Sequence, residues 1–199
     1  MNNFEKTWLQ ASEGERNKGF FWYSDQHNYL KAMAGYYGIP FNVVCGITAV
    51  LSPSISWDVN LNAVRLLLQN KGKVSGIKTT GYPLNWKKAT RMYRNRKVFP
   101  YLSGDKVTAF YDNLLKPHAS TKVAIDTFMI ACYYGYTDKA NCAKHFTPKY
   151  NKVLQDEIKI LAEKYDRSPC QMQATIWIAY HRIVRSMQSY DYQLELKIF

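Results

Sequence analysis

Apolar positions recur along this chain at helical spacing, and strand-like alternation is scarce, which predicts an all-α fold. Glycine and proline punctuate a series of helix-length segments. Ser24 and Asp25 can cap a helix running to about Tyr37. Pro40 opens an apolar helix, Phe41 to Leu51, and Ser52-Pro53-Ser54 breaks it. Trp57 or Asp58 starts the next helix, which runs to about Gln69 with Val59, Ala63, Leu66 and Leu67 on one face. The glycine-rich stretch Lys71 to Pro83 reads as a short hairpin or an irregular connection, and a helix follows from about Asn85 to Arg94. Pro100 ends that region, and Leu102-Ser103-Gly104 makes a tight turn into a helix from Asp105 to Leu115. A loop, Lys116 to Ala124, leads to Asp126 and a helix from Thr127 to Tyr134. Thr147-Pro148 and Ser168-Pro169 each set a capping hydroxyl before a first-turn proline, and Gln171 completes a capping box with Ser168. The last long helix carries Met172, Ile176, Ala179, Ile183 and Met187 at helical spacing, a stripe that belongs in a core.

A chain of 199 residues suits one compact domain or two closely packed lobes. Its 47% apolar and 15% aromatic content is enough to bury a core, which argues against disorder. No apolar run approaches the roughly 18 residues that cross a bilayer, and the first residues lack the charge-then-apolar order of a signal peptide. A cytoplasmic protein without a membrane partner is therefore expected. The 27 Lys and Arg against 15 Asp and Glu give +12, and the pI is near 9.5. Such an excess favours a polyanionic partner, usually nucleic acid; its plainer use is solubility. The Lys-, Asn- and Tyr-rich composition suits a bacterial or phage protein.

Cys45, Cys132, Cys142 and Cys170 form no CxxC pair, and buried free thiols are expected. Cys142 and His145 have a ligand-like spacing, but no second pair completes a zinc site, so neither a metal nor a cofactor is expected. His27, His118 and His145 are scattered, and His181 shares a helix face with Trp177. Lining a pocket or a plain structural role is open to His181.

Two segments bear chemistry. Lys87, Lys88, Arg91, Arg94, Arg96 and Lys97 put six positive charges into eleven residues, with Trp86, Tyr93 and Tyr101 interleaved. The run leads into Leu102-Ser103-Gly104-Asp105-Lys106, where a glycine turn aims backbone N–H groups outward at a helix start, a seat for a phosphate oxygen. The run reads as phosphate-contacting or as a solvated face. The second segment is Val123-Ala124-Ile125-Asp126-Thr127-Phe128, a carboxylate at the head of a helix, 22 residues after Gly104. By itself Asp126 reads as an N-cap.

Taken together, the chain from roughly 40 to 135 resembles the helix-hairpin-helix (HhH-GPD) superfamily of DNA base-excision glycosylases. That family has a Leu-x-Gly-x-Gly hairpin and, after a helix and a loop, an apolar stretch ending in Val-Asp-Thr-His. Leu102-Ser103-Gly104 and Ala124-Ile125-Asp126-Thr127 stand in that order at a similar separation. Upstream, Ala49 to Val59 resembles the family's Leu-Leu-Ser-x-Gln-x-x-Asp segment near the flipped base. The departures are specific. Lys106 replaces the second hairpin glycine, the position of the family's Schiff-base lysine falls on Thr108, and Phe128 stands where the family has His.

The resemblance implies a two-lobed helical glycosylase within residues 1–199, its hairpin and catalytic loop within 98–135, and its DNA in the cleft between the lobes. It implies a monomer acting on double-stranded DNA, which cleaves the N-glycosidic bond of a flipped damaged or modified base. Asp126 would stabilise the oxocarbenium-like sugar and activate water. Lys106, with Lys122 behind it, would be either a Schiff-base amine or a phosphate contact. Leu102, Ser103, Gly104, Lys87, Lys88, Arg91 and Arg94 would bind DNA. Ser54, Ile55 and Trp57 would line the base pocket, with Trp22, Tyr23 and Trp86 as further aromatic walls. A non-enzymatic helical DNA-binding protein that uses the hairpin for phosphates remains the alternative.

Overall fold

The computed structural model describes residues 1–76, 79–135, 140–145 and 147–195. Among them are nine α-helices and no strand. The helices are α1 (Asn3–Gln10), α2 (Glu13–Tyr37), α3 (Phe41–Leu51), α4 (Trp57–Gln69), α5 (Pro83–Asn95), α6 (Asp105–Leu115), α7 (Thr127–Tyr134), α8 (Pro148–Lys164) and α9 (Pro169–Glu195), with a short 3-10 helix at Ala140–His145. The all-α reading holds. No single described helix is long and apolar enough to cross a membrane.

The chain divides into two compact units. One is Met1–Tyr23 with Ile125–Phe199, and the other is Ser24–Ala124. In the first, α9 packs on α1, α7 and α8. Phe4, Met129, Ile130, Leu154, Ile158, Met172 and Ile176 fill its core. Of the predicted α9 stripe, Met172, Ile176 and Ala179 are buried and Ile183 is half-buried. Met187 has a side chain outside the described residues.

In the second unit α3 is the centre. Every residue from Val43 to Leu51 is buried, and α4, α5 and α6 all pack on it. A helix with no polar face must be covered on all sides. Close approach is needed at Gly46, where an added Cβ would lie 3.0 Å from Val98 and 3.3 Å from the Met92 sulfur.

Helix ends follow local chemistry. Ser56, Asp126 and Thr147 each accept a first-turn N–H, from Val59, Met129 and Tyr150. Ser168 and Gln171 form the expected reciprocal box.

Three expectations are corrected. Ser24 and Asp25 do not begin a helix; they lie inside α2, which starts at Glu13. The reason is an upstream capping box, in which Ser12 N–H donates to Glu15 Oε2 at 2.9 Å and Glu15 N–H to Ser12 Oγ at 3.2 Å. On α4 the buried residues are Asn60, Ala63, Val64, Leu67 and Leu68, while Val59 and Leu66 are exposed. The buried face packs on α3 and accommodates Asn60, whose amide donates to the Thr48 carbonyl at 3.0 Å. Last, α5 begins at Pro83, whose fixed φ and missing N–H suit a first helical position. The described part of 71–83 is an irregular connection; Ile77 and Lys78 lie outside the described residues.

Candidate functional site

Local sequence places Asp126. The buried run Val123, Ala124 and Ile125 anchors the approach, and Asp126 takes the extended conformation at the N-cap of α7. One carboxylate oxygen, Oδ1, accepts the Met129 N–H at 2.9 Å. The other, Oδ2, accepts the Trp177 indole N–H at 3.1 Å. So Asp126 is more than a cap: an N–H donor from α7 and another from α9 fix the plane of its carboxylate.

The Trp177 ring that bonds it belongs to an aromatic cluster of the same unit. His181 sits 4.0 Å from the Trp177 ring and 4.1 Å from Phe128, centroid to centroid. Asp126, Phe128, Trp177 and His181 are all half-buried, so the cluster stays within reach of solvent. Sequence reasoning does not find Trp177 as a partner of Asp126. Only the Trp177–His181 face is visible in sequence, and nothing local links it to a residue 51 positions away.

The other unit assembles the hairpin residues. Leu102 is buried and anchors the turn, so its side chain presents nothing to a ligand. Ser103 and Gly104 are exposed. Gly104 has φ +88°, a left-handed value that favours glycine, and nothing lies within 4 Å of where its Cβ would be. Gly104 stands at the N-cap of α6 and has no side chain with which to cap it.

Lys106 reaches across to the end of α3. Its Nζ donates to Ser52 Oγ at 2.7 Å and stands 5.1 Å from the Phe110 ring centre. Ser52 Oγ in turn donates to the Ala49 carbonyl. Trp57 stacks edge-on against Phe110 and donates its indole N–H to Gln26 Oε1 at 3.1 Å. Ser54, at φ +66°, shares a hydrogen bond with the Tyr82 hydroxyl at 3.0 Å. Ile55 lies beside Gly81. Hence Ser52 to Trp57 adjoins both the start of α6 and the approach to α5. Segments 28 and 54 residues apart in sequence meet there, held by their side chains.

The basic run lies along α5 and just past its end. Lys87, Arg91, Arg94, Arg96 and Lys97 are exposed, and Lys88 donates to Ser103 Oγ at 2.8 Å. Arg96 lies over the Tyr93 ring, 4.5 Å from its centre. Trp86 is buried, with its indole N–H on the Thr80 carbonyl, so it is a core residue rather than a pocket wall. Tyr23 is buried as well, and its hydroxyl donates to Gln173 Oε1. Trp22 is half-buried and packs edge-on against Tyr23 in that same unit. Lys122 is exposed.

The charge is unequally divided. The unit Ser24–Ala124 holds fourteen Lys and Arg against four Asp, so +10 of the chain's +12 lies there. Between Asp58 and Asp105 there are ten Lys and Arg and no acidic residue. A field of one sign over a whole unit attracts polyanions at long range.

The remaining titratable groups offer no alternative centre among the described residues. All four cysteines are buried free thiols, and burial pushes the Cys45 and Cys132 thiols up to about 12. A thiol so raised is a poor nucleophile and a poor ligand at neutral pH. Cys142 donates to the Thr127 carbonyl, and His145 stacks on Tyr134 at 3.8 Å. No group of three or more His, Cys, Asp or Glu among the described residues could hold a metal ion. His27 donates from Nδ1 to the Leu114 carbonyl and, with exposed His118, borders a separate groove of about 280 Å³.

One family model, described as a family of unknown function (DUF7178), matches residues 1–185. No curated protein and no solved structure matches the chain.

Proposed function

The chain belongs to this family of unknown function (DUF7178), and from its own residues we propose that it acts on DNA as a base-excising N-glycosylase. The observation that carries this reading is the Asp126 carboxylate, aimed by two N–H donors, one of them from the Trp177 ring that packs with Phe128 and His181. Departure of a base from deoxyribose leaves positive charge on the sugar. A fixed carboxylate stabilises that charge as it develops, and it can orient a water for attack at C1′. Neighbouring ring faces attract a cation as well.

DNA itself would be held by the basic unit. Lys87, Arg91 and Arg94 supply exposed cations for phosphates, and the turn at Ser103 and Gly104 is exposed in the same unit. This binding is sequence-independent. The tie between Lys106 and Ser52 favours a positioning and phosphate-contact role for Lys106, and hydrolysis through Asp126 over amine chemistry. The resemblance to the helix-hairpin-helix glycosylases supports the same assignment of Asp126.

A second reading has its own support. Ten of the twelve net charges and the turn lie in the unit that does not contain Asp126. A protein that only binds DNA would need no more than that.

Mass spectrometry of bases released from a panel of damaged and naturally modified duplexes separates the two. A base released by the wild type and not by Asp126→Asn establishes the glycosylase and identifies its substrate. Full excision by Asp126→Asn would overturn the role of the carboxylate. Salt-sensitive binding with no base released from any duplex would leave the binding protein.

A further inference from the structure

The outer face of α5 carries more than charge. Leu84, Lys87, Lys88 and Arg91 follow each other at helical spacing and, with Pro100 and Tyr101, line a groove of about 490 Å³. Its lining is mainly apolar. Leu84 is 62% exposed in the first turn of α5, where nothing in the fold requires a leucine. Asn95 donates its side-chain amide to the Tyr101 hydroxyl, which holds that ring in place. Phe99, 61% exposed, and Tyr82, 55% exposed, stand in the segments flanking the helix. Lys88 is held by Ser103, while Lys87 and Arg91 are exposed beside the groove.

Cations alone suffice for the phosphates of a duplex, whose bases are stacked and cannot offer their flat faces to a groove. A mainly apolar groove that also carries cations matches a different ligand: an unstacked nucleotide, whose base covers the apolar part while its phosphates meet the lysines and the arginine. We propose, resting on the reading that this protein acts on DNA, that the α5 groove receives unpaired nucleotides. The DNA it takes up then carries a single-stranded segment, as in a gap, a bubble or an end.

Fluorescence anisotropy with four 12-mers tests this: oligo-dT, oligo-U, a blunt duplex, and an abasic single strand with the same phosphates and no bases. Oligo-dT is expected to bind about tenfold tighter than the abasic strand at equal salt, the size of a base–side-chain stacking contribution. Leu84→Ser is expected to erase that advantage while leaving the salt dependence unchanged. Leu84 is exposed, so this variant keeps the core, and circular dichroism confirms its helix content. Equal binding of oligo-dT and the abasic strand would overturn the proposal, as would an unaltered oligo-dT affinity in Leu84→Ser. Tenfold preference for oligo-U would reassign the groove to RNA. Binding of none of the probes would remove the nucleic-acid reading and the groove with it. Binding with the expected pattern, but no base release from any substrate, would leave the groove standing and remove only the glycosylase.

Discussion

Trp177 donates its indole N–H to Asp126 Oδ2 at 3.1 Å, while Oδ1 of the same carboxylate caps α7 through Met129. One side chain therefore closes a helix end and ties it to a second helix. The consequence is measurable without knowing the substrate. Asp126→Asn keeps a capping oxygen, because Asn caps about as well as Asp, but turns an amide N–H toward the indole N–H. Trp177→Phe removes the donor and leaves a ring. Each single variant should lose about 1–2 kcal/mol of stability, and the double variant should lose less than the sum, because the same bond is removed twice. Urea denaturation of the four proteins checks this. If base excision is the activity, Trp177→Phe should also slow release by about tenfold or more with DNA affinity unchanged, since one of the two donors that fix the carboxylate is gone.

The +10 carried by one unit predicts a steep salt dependence of DNA binding. Lys87→Gln with Arg91→Gln should lower the slope of log K against log salt by about two, one for each phosphate that is no longer neutralised. Lys106→Gln should lower it by about one. Borohydride treatment during turnover is expected to trap no covalent DNA adduct. An adduct present in the wild type and absent in Lys106→Gln would assign amine chemistry to this lysine instead.

Two glycines in α2 should respond to alanine with opposite signs. At Gly19 a Cβ would fall 2.5 Å from Thr175 Cα and 2.7 Å from its nitrogen, so backbone would have to move. Gly19→Ala should cost about 1–3 kcal/mol and lower Tm. At Gly35 nothing lies within 4 Å. There Gly35→Ala should stabilise by about 0.5–1 kcal/mol through the better helix propensity of alanine. Thermal melts of the two variants against the wild type decide it.

Glu5 links α1 to the end of α8. Hydrogen bonds from Lys164 at 2.6 Å and from the Tyr165 hydroxyl at 2.9 Å hold its carboxyl below the usual carboxylate range. A carboxyl lowered in the folded state contributes stability above its unfolded value, and that contribution is lost as pH falls through the folded value. The Tm of Glu5→Gln should therefore lie below that of the wild type at neutral pH. The two should converge as the pH drops below the ordinary glutamate range. A constant gap across that range would show that the carboxylate charge is not what matters.

Much of the fold is legible where local chemistry governs it. Pro40, Gly104, Asp126, Thr147 and Ser168 mark helix starts because the first N–H groups of a helix need acceptors or must be left open, and these residue types meet that need in place. The same rule misleads at Ser24 and Asp25. Both can cap, but Ser12 and Glu15 have already started the helix, and a polar residue can ride on a helix without ending it.

Sequence by itself determined the helical class, most helix ends, the burial of the thiols and the density of positive charge between Asp58 and Asp105. Each follows from neighbours along the chain, through hydrogen bonds within one turn, hydrophobic spacing or simple composition. Tertiary structure alone decided which face of α4 is buried, that Lys106 is held by Ser52, that Lys88 is held by Ser103, and that Trp177 aims the carboxylate of Asp126. The last three pairings join residues 15 to 54 positions apart. They depend on how whole helices stack, which is set by the summed burial of many side chains rather than by any local pattern.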